Sequence, residues 1–142
     1  MSSTLHSLQE ETGHTIALAL FIGYERLVVD VAQGRYPLSP FYESWLKSPL
    51  HGSVSGRVLL AWMPEQAREQ LLGAGPYDAH TSKTITEPAL LSRELNRVRM
   101  LGYAVARDDY HDGLMAIGVP LIHQAGAQPH GCLMLTCPSD SV

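Results

Sequence analysis

Two cysteines, two phenylalanines and ten lysines plus arginines are all that 142 residues supply, and each shortage excludes something. Cys132 and Cys137 lie five positions apart in a stretch that reads as a strand, so side-chain alternation puts them on opposite faces and a bridge between them is not expected. The disulfide framework that staples small secreted domains is therefore missing, and reduced thiols point to a cytoplasmic setting. The basic residues are outnumbered by fourteen Asp plus Glu, for a net charge of −4, and form no run. Without a stripe of cations to neutralise phosphates, the chain by itself is not expected to bind nucleic acid. Long apolar runs are also lacking. The longest clean one, Ile16 to Ile22, is far short of the roughly 20 residues that span a bilayer. It follows Gln9, Glu10 and Glu11 rather than a basic segment, so neither a membrane span nor an export signal is expected. No internal repeat or low-complexity segment is present.

What is there suits one folded unit over residues 1–142. A hydrophobic content of 45% with 17% charged residues is globular, and a chain of this length buries about two-thirds of its unfolded surface. Ser3 to Glu11 reads as a short polar helix. Thr15 to Ile22 and Leu27 to Val31 read as a hairpin around the turn Gly23-Tyr24-Glu25-Arg26. Pro37 to Pro49 is irregular, with an extended edge piece around Phe41 to Leu46. Ser53 to Met63 and Pro64 to Leu72 have helical spacing. A longer helix opens at Thr86 or Glu87 with Pro88 in its first turn, places Leu91, Leu95 and Val98 on one face, and stops at Gly102. Three strands follow: Tyr103 to Ala106, Leu114 to Ile122 and Cys132 to Cys137. The order predicts an α+β domain with a mostly antiparallel sheet.

Chemistry is sparse. Pro49 to Arg57, "PLHGSVSGR", has the two glycines of a nucleophile elbow, but the apex residue is Val54, which carries no nucleophile. Asp108, Asp109, His111 and Asp112 share one turn, yet no second group at ligand spacing accompanies them, so no metal is expected. The histidines stand alone, and His51 fits a turn role better than that of a base. Neither cysteine has a paired base in sequence, so no catalytic residue and no cofactor are assigned.

Taken in order, Pro49-Leu50-His51 with Gly56-Arg57 and Leu59-Leu60-Ala61, Thr84-Ile85-Thr86 with Glu87-Pro88 and Leu91, Glu94-Leu95, Val98-Arg99, Gly102-Tyr103-Ala104-Val105, Asp109, Gly113, Ala116, Pro120 and Gly126 make a pattern. It resembles the effector-binding domain of IclR-type bacterial transcriptional regulators over nearly the whole chain. The resemblance implies a GAF-like sheet flanked by helices, with a small-molecule cavity on one side, and a homodimer or homotetramer. Phe41, Trp45 and Trp62, large residues in or near irregular segments, fit such pairing. It also implies that DNA contact is made only through a helix-turn-helix domain missing from this sequence, which starts within the expected first helix and ends at Pro138 to Val142, short of an expected terminal helix.

For the site, the resemblance implies that Ser53, Val54 and Ser55 open a helix whose backbone N–H groups hold a carboxylate, as helix N-termini can. Four further positions, polar in the family, are Ala106, Ala116, Met134 and Thr136 here, and only Thr136 keeps a hydroxyl. Phe41, Val54 and Leu114 fall on cavity-lining positions. So apolar a pocket would leave a small hydrated acid short of partners, at a cost of about 2 to 7 kcal/mol for even a neutral polar group. An aromatic or acyl carboxylate is the expected effector, in a sensing rather than an enzymatic domain. A stand-alone enzyme or metal-binding protein on the same scaffold is the other reading, because fold does not fix function.

Overall fold

The structure, a computed structural model, describes residues 2–34, 45–46, 49–109, 113–124 and 127–138. Helix α1 (Ser2–Thr12) leads into the hairpin β1 (Thr15–Ile22) and β2 (Glu25–Ala32). Three helices follow, α2 (Val54–Ala61), α3 (Glu65–Leu72) and α4 (Pro88–Leu101), and then β3 (Ala104–Arg107), β4 (Leu114–Leu121) and β5 (Gly131–Pro138). The strands form one sheet in the order β2-β1-β5-β4-β3 with every pairing antiparallel. This is the expected α+β fold. No helix among the described residues is long and apolar enough to cross a membrane.

Alternation along the strands sends side chains to two different layers. Toward α2 and α4 go Ala17, Ala19, Ala104, Ala106, Cys132 and Met134, which pack with Val54, Val58 and Leu60 of α2 and with Leu91, Leu95 and Val98 of α4. Ile16 and Leu18 turn the other way and meet Leu5 of α1, with Leu8, Leu133 and Leu135 around them. The cysteines obey the same parity. Both are free and buried; Cys132 joins the α2 layer and Cys137 faces away from it.

Local signals explain most boundaries. Gly102, at φ +82°, ends α4 in the left-handed conformation that glycine adopts without steric cost. Pro88 sits in the first turn of α4, and the N-cap is Glu87, whose side chain makes no capping hydrogen bond. The helix expected over 53–63 is α2 with its two caps, Ser53 and Trp62. Strand β3 begins one residue later than expected and runs on to Arg107. Of the anticipated edge piece, Trp45 bridges Leu27, and Phe41 to Ser44 lie outside the described residues.

Candidate functional site

The turn before α2 is held by short-range chemistry. Ser53 has extended backbone, and its hydroxyl accepts the Gly56 N–H at 3.2 Å while donating to the Pro49 carbonyl at 2.7 Å. A Cβ on Gly56 would lie 2.3 Å from the Leu50 carbonyl oxygen, so only glycine lets this turn fold back on the helix. One position on, Arg57 is 1% exposed. Its guanidinium donates to the His51 carbonyl at 2.9 Å, to the Val105 carbonyl at 3.2 Å and to Asp109 Oδ2 at 2.7 Å. The Thr81 and Thr84 hydroxyls donate to the carbonyls of Asp108 and Asp109. His51, itself buried, donates through Nε2 to the Asp78 carbonyl at 2.7 Å. The turn role expected of His51 is what its contacts describe. Asp108 pairs with Lys83 at 3.3 Å and Asp109 with Arg57, and His111 and Asp112 lie outside the described residues.

Strand register collects the other candidate residues. Ala106 faces Ala116 across β3 and β4, and Ala116 faces Thr136 across β4 and β5, so the three form one row on the α2 side. Met134 lies in the next row opposite Gly118, and Leu114 lies one row the other way, opposite Pro138. Val54 sits directly on this surface: a Cβ on Gly118 would come within 2.9 Å of Val54 Cβ and 3.1 Å of Cys132 Sγ. Ala106, Val54, Met134 and Ser55 are buried, and Ser53, Leu114, Ala116 and Thr136 are half-buried. Val54, Ala106, Ala116 and Met134 belong to the layer between α2 and the sheet, strand parity puts Leu114 and Thr136 on the same side, and Phe41 is outside the described residues. Burial pushes the Cys132 thiol up to about 12, so it stays protonated beneath Val54.

Arg26, expected in the hairpin turn, lies instead in β2, against the start of α2. It is 4% exposed, and its Nη1 donates to Ser53 Oγ at 3.0 Å and to Ser55 Oγ at 2.8 Å. Desolvation by burial draws its pKa below the usual arginine value. A β-bulge is what brings it there. Leu18 pairs with Asp30, but Ala19 pairs with Val28, which leaves Val29 as the extra residue and reverses the parity of β2 beyond it. Strict alternation from Val31 would turn Arg26 away from α2. With the bulge, Arg26 pairs with Phe21 and faces α2. In the sequence Arg26 stands between Glu25 and Leu27, and nothing there announces the bulge.

The sequence matches the family described as bacterial transcriptional regulator IclR C-terminal over residues 1–139. The chain belongs to the IclR family. This IclR C-terminal domain is 30% identical over 118 residues to the probable transcriptional regulator SauR of Cupriavidus necator, covering 83% of this chain and 47% of that protein. The crystal structure of Thermotoga maritima IclR superposes with a TM-score of 0.85 at 28% identity, over 99% of this chain and 56% of that one. An IclR homologue from Microbacterium hydrocarbonoxydans, solved in complex with 4-hydroxybenzoate, gives a TM-score of 0.84 at 24% identity, over 99% of this chain and 57% of that one. The chain spans about half the length of the curated relatives it matches.

Proposed function

We propose that this IclR C-terminal domain senses an aromatic or medium-chain carboxylate, bound between the start of α2 and the sheet. The observation that carries the reading is the surface α2 faces there: Ala106, Ala116 and Thr136 in one row, flanked by Leu114 and Met134, with the N–H groups of the α2 start above. Those N–H groups suit one anionic group, and the alanines and methionine suit an apolar body. The 4-hydroxybenzoate carried by the Microbacterium hydrocarbonoxydans homologue is of this class. Ser53 adds no donor of its own, since its proton goes to Pro49.

In the whole regulator, effector binding would shift a homodimer or homotetramer between states and so alter DNA binding by an attached or partner helix-turn-helix domain. The relatives are regulators rather than enzymes, and a sensing rather than a catalytic role fits a site whose thiol is held protonated.

Thermal shift with 4-hydroxybenzoate, octanoate, glyoxylate and pyruvate at matched concentrations tests the proposal, because a ligand that binds only the folded state raises stability as ln(1 + [L]/Kd). The first two should raise the melting temperature more than the last two. The reverse order would overturn the apolar pocket. Leu114→Asp, which puts a carboxylate where the ligand's body lies, should abolish the response.

A further inference from the structure

We infer that the β4–β5 hairpin carries a two-histidine site for a borderline divalent transition-metal ion, with His123 and His130 as its protein ligands. The inference stands apart from the effector reading. The candidate effector surface lies toward the Leu114 and Pro138 end of β4 and β5, and this pair lies past Leu121 and Gly131 at the other end.

In the sequence each of the two histidines stands alone, with six residues between them. The hairpin removes that separation. Beyond the last β4–β5 pair, Leu121 with Gly131, the His130 N–H donates to the Leu121 carbonyl at 3.0 Å and the His130 carbonyl accepts from the Phe21 N–H at 2.9 Å. His130 is thereby anchored to β4 and to β1. On the other arm the Ala127 N–H donates to the Gln124 carbonyl at 3.0 Å, a turn that folds the chain back just after His123. The two rings meet at a centroid separation of 6.5 Å and an interplanar angle of 75°. Two imidazole nitrogens about 2.0 to 2.1 Å from a shared ion put the ring centroids roughly 5 to 6.5 Å apart, for angles at the metal between tetrahedral and linear. The observed separation is at the upper end of that span, and exposed side chains close such a gap by rotamer changes.

Both histidines are exposed, and among the described residues neither side chain has a hydrogen-bond or ion-pair partner. Two uncommitted imidazoles on an anchored backbone act as a chelate, which needs less ordering than two separate ligands. Imidazole suits zinc, nickel and copper, whereas magnesium and calcium take oxygen ligands. No cluster of three or more His, Cys, Asp or Glu forms among the described residues, so water fills the remaining positions and the ion is exchangeable. Once bound, it ties the end of β4 to the start of β5.

The test is equilibrium dialysis of the untagged chain against Ni²⁺, Zn²⁺ and Mg²⁺, with His123→Ala, His130→Ala and His6→Ala beside the wild type. All three positions are exposed, where substitutions leave the fold intact. His6 is the control because its ring approaches Glu10 at 4.0 Å, another place where an ion could join two side chains. Wild type and His6→Ala should take up one Ni²⁺ or Zn²⁺ per chain and no Mg²⁺. His123→Ala and His130→Ala should each bind at least about tenfold more weakly, since either change leaves a single imidazole. Saturating Zn²⁺ should raise the melting temperature of wild type and His6→Ala and leave that of the two hairpin variants unmoved. Wild-type affinity in either hairpin variant, a loss in His6→Ala, or Mg²⁺ bound as well as Ni²⁺ overturns the assignment. A wild type that takes up neither Ni²⁺ nor Zn²⁺ overturns it as well, and leaves the effector reading untouched.

Discussion

The same strands build two unlike faces. Toward α1 they present Ile16, Leu18, Leu133 and Leu135, large aliphatic side chains that fill the gap between helix and sheet. Toward α2 they present Ala17, Ala19, Ala104, Ala106, Ala116 and Gly118, so that the helices themselves must come down to the sheet or leave room. At Gly118 they come down, with Val54 in contact. At Ala106 and Ala116 the sheet side chains are equally small. Both faces are packed, but the α1 face is filled mainly by the sheet's own side chains and the α2 face mainly by those of α2 and α4.

Three substitutions would break or sharpen that contrast. Leu18→Ala on the α1 face should cost about 2 to 5 kcal/mol in denaturant unfolding, because it opens a cavity in filled space. A loss under 1 kcal/mol would mean that the sheet's own side chains do not fill this face. Gly118→Ala should cost about 1 to 3 kcal/mol, since its methyl group meets Val54 and Cys132 closer than contact distance and must lift the start of α2. The same change should weaken any ligand-induced rise in melting temperature. Ala116→Leu should have the smallest effect on stability, within about 1 kcal/mol, because Ala116 is half-buried and the proposed effector site would take up the added carbons. It should nevertheless abolish the ligand response. If Ala116→Leu proves as damaging as Gly118→Ala, the two halves of the α2 face are packed alike.

Where the fold depends on periodicity, it was legible in the sequence. The spacing of Leu91, Leu95 and Val98 and the stop at Gly102 reappear in α4, and the strand assignments hold to within a few residues. The α2-side residues named from the resemblance to the family occupy one layer. What escaped was whatever a parity change or a long-range partner decides. Arg26 lies beyond a bulge that no residue type announces. Arg57 was readable as part of a pattern, but its burial follows from acceptors contributed by His51, Val105 and Asp109, and Val105 and Asp109 lie about fifty positions down the chain. Thr81 and Thr84 tie their loop to the β3–β4 turn for the same reason. Such bonds are chosen by the assembled fold, and local propensity carries no trace of them.

Arg57 also bears on how copies of this domain can meet. Strand β3 is the last in the sheet, and the carbonyl of Val105 points off its free side, where an extended segment from another molecule could zip on. Because the buried guanidinium already occupies that carbonyl, a newcomer strand would have to evict it and strand Asp109 without its cation. At this position the outer edge of β3 therefore resists the addition of a strand.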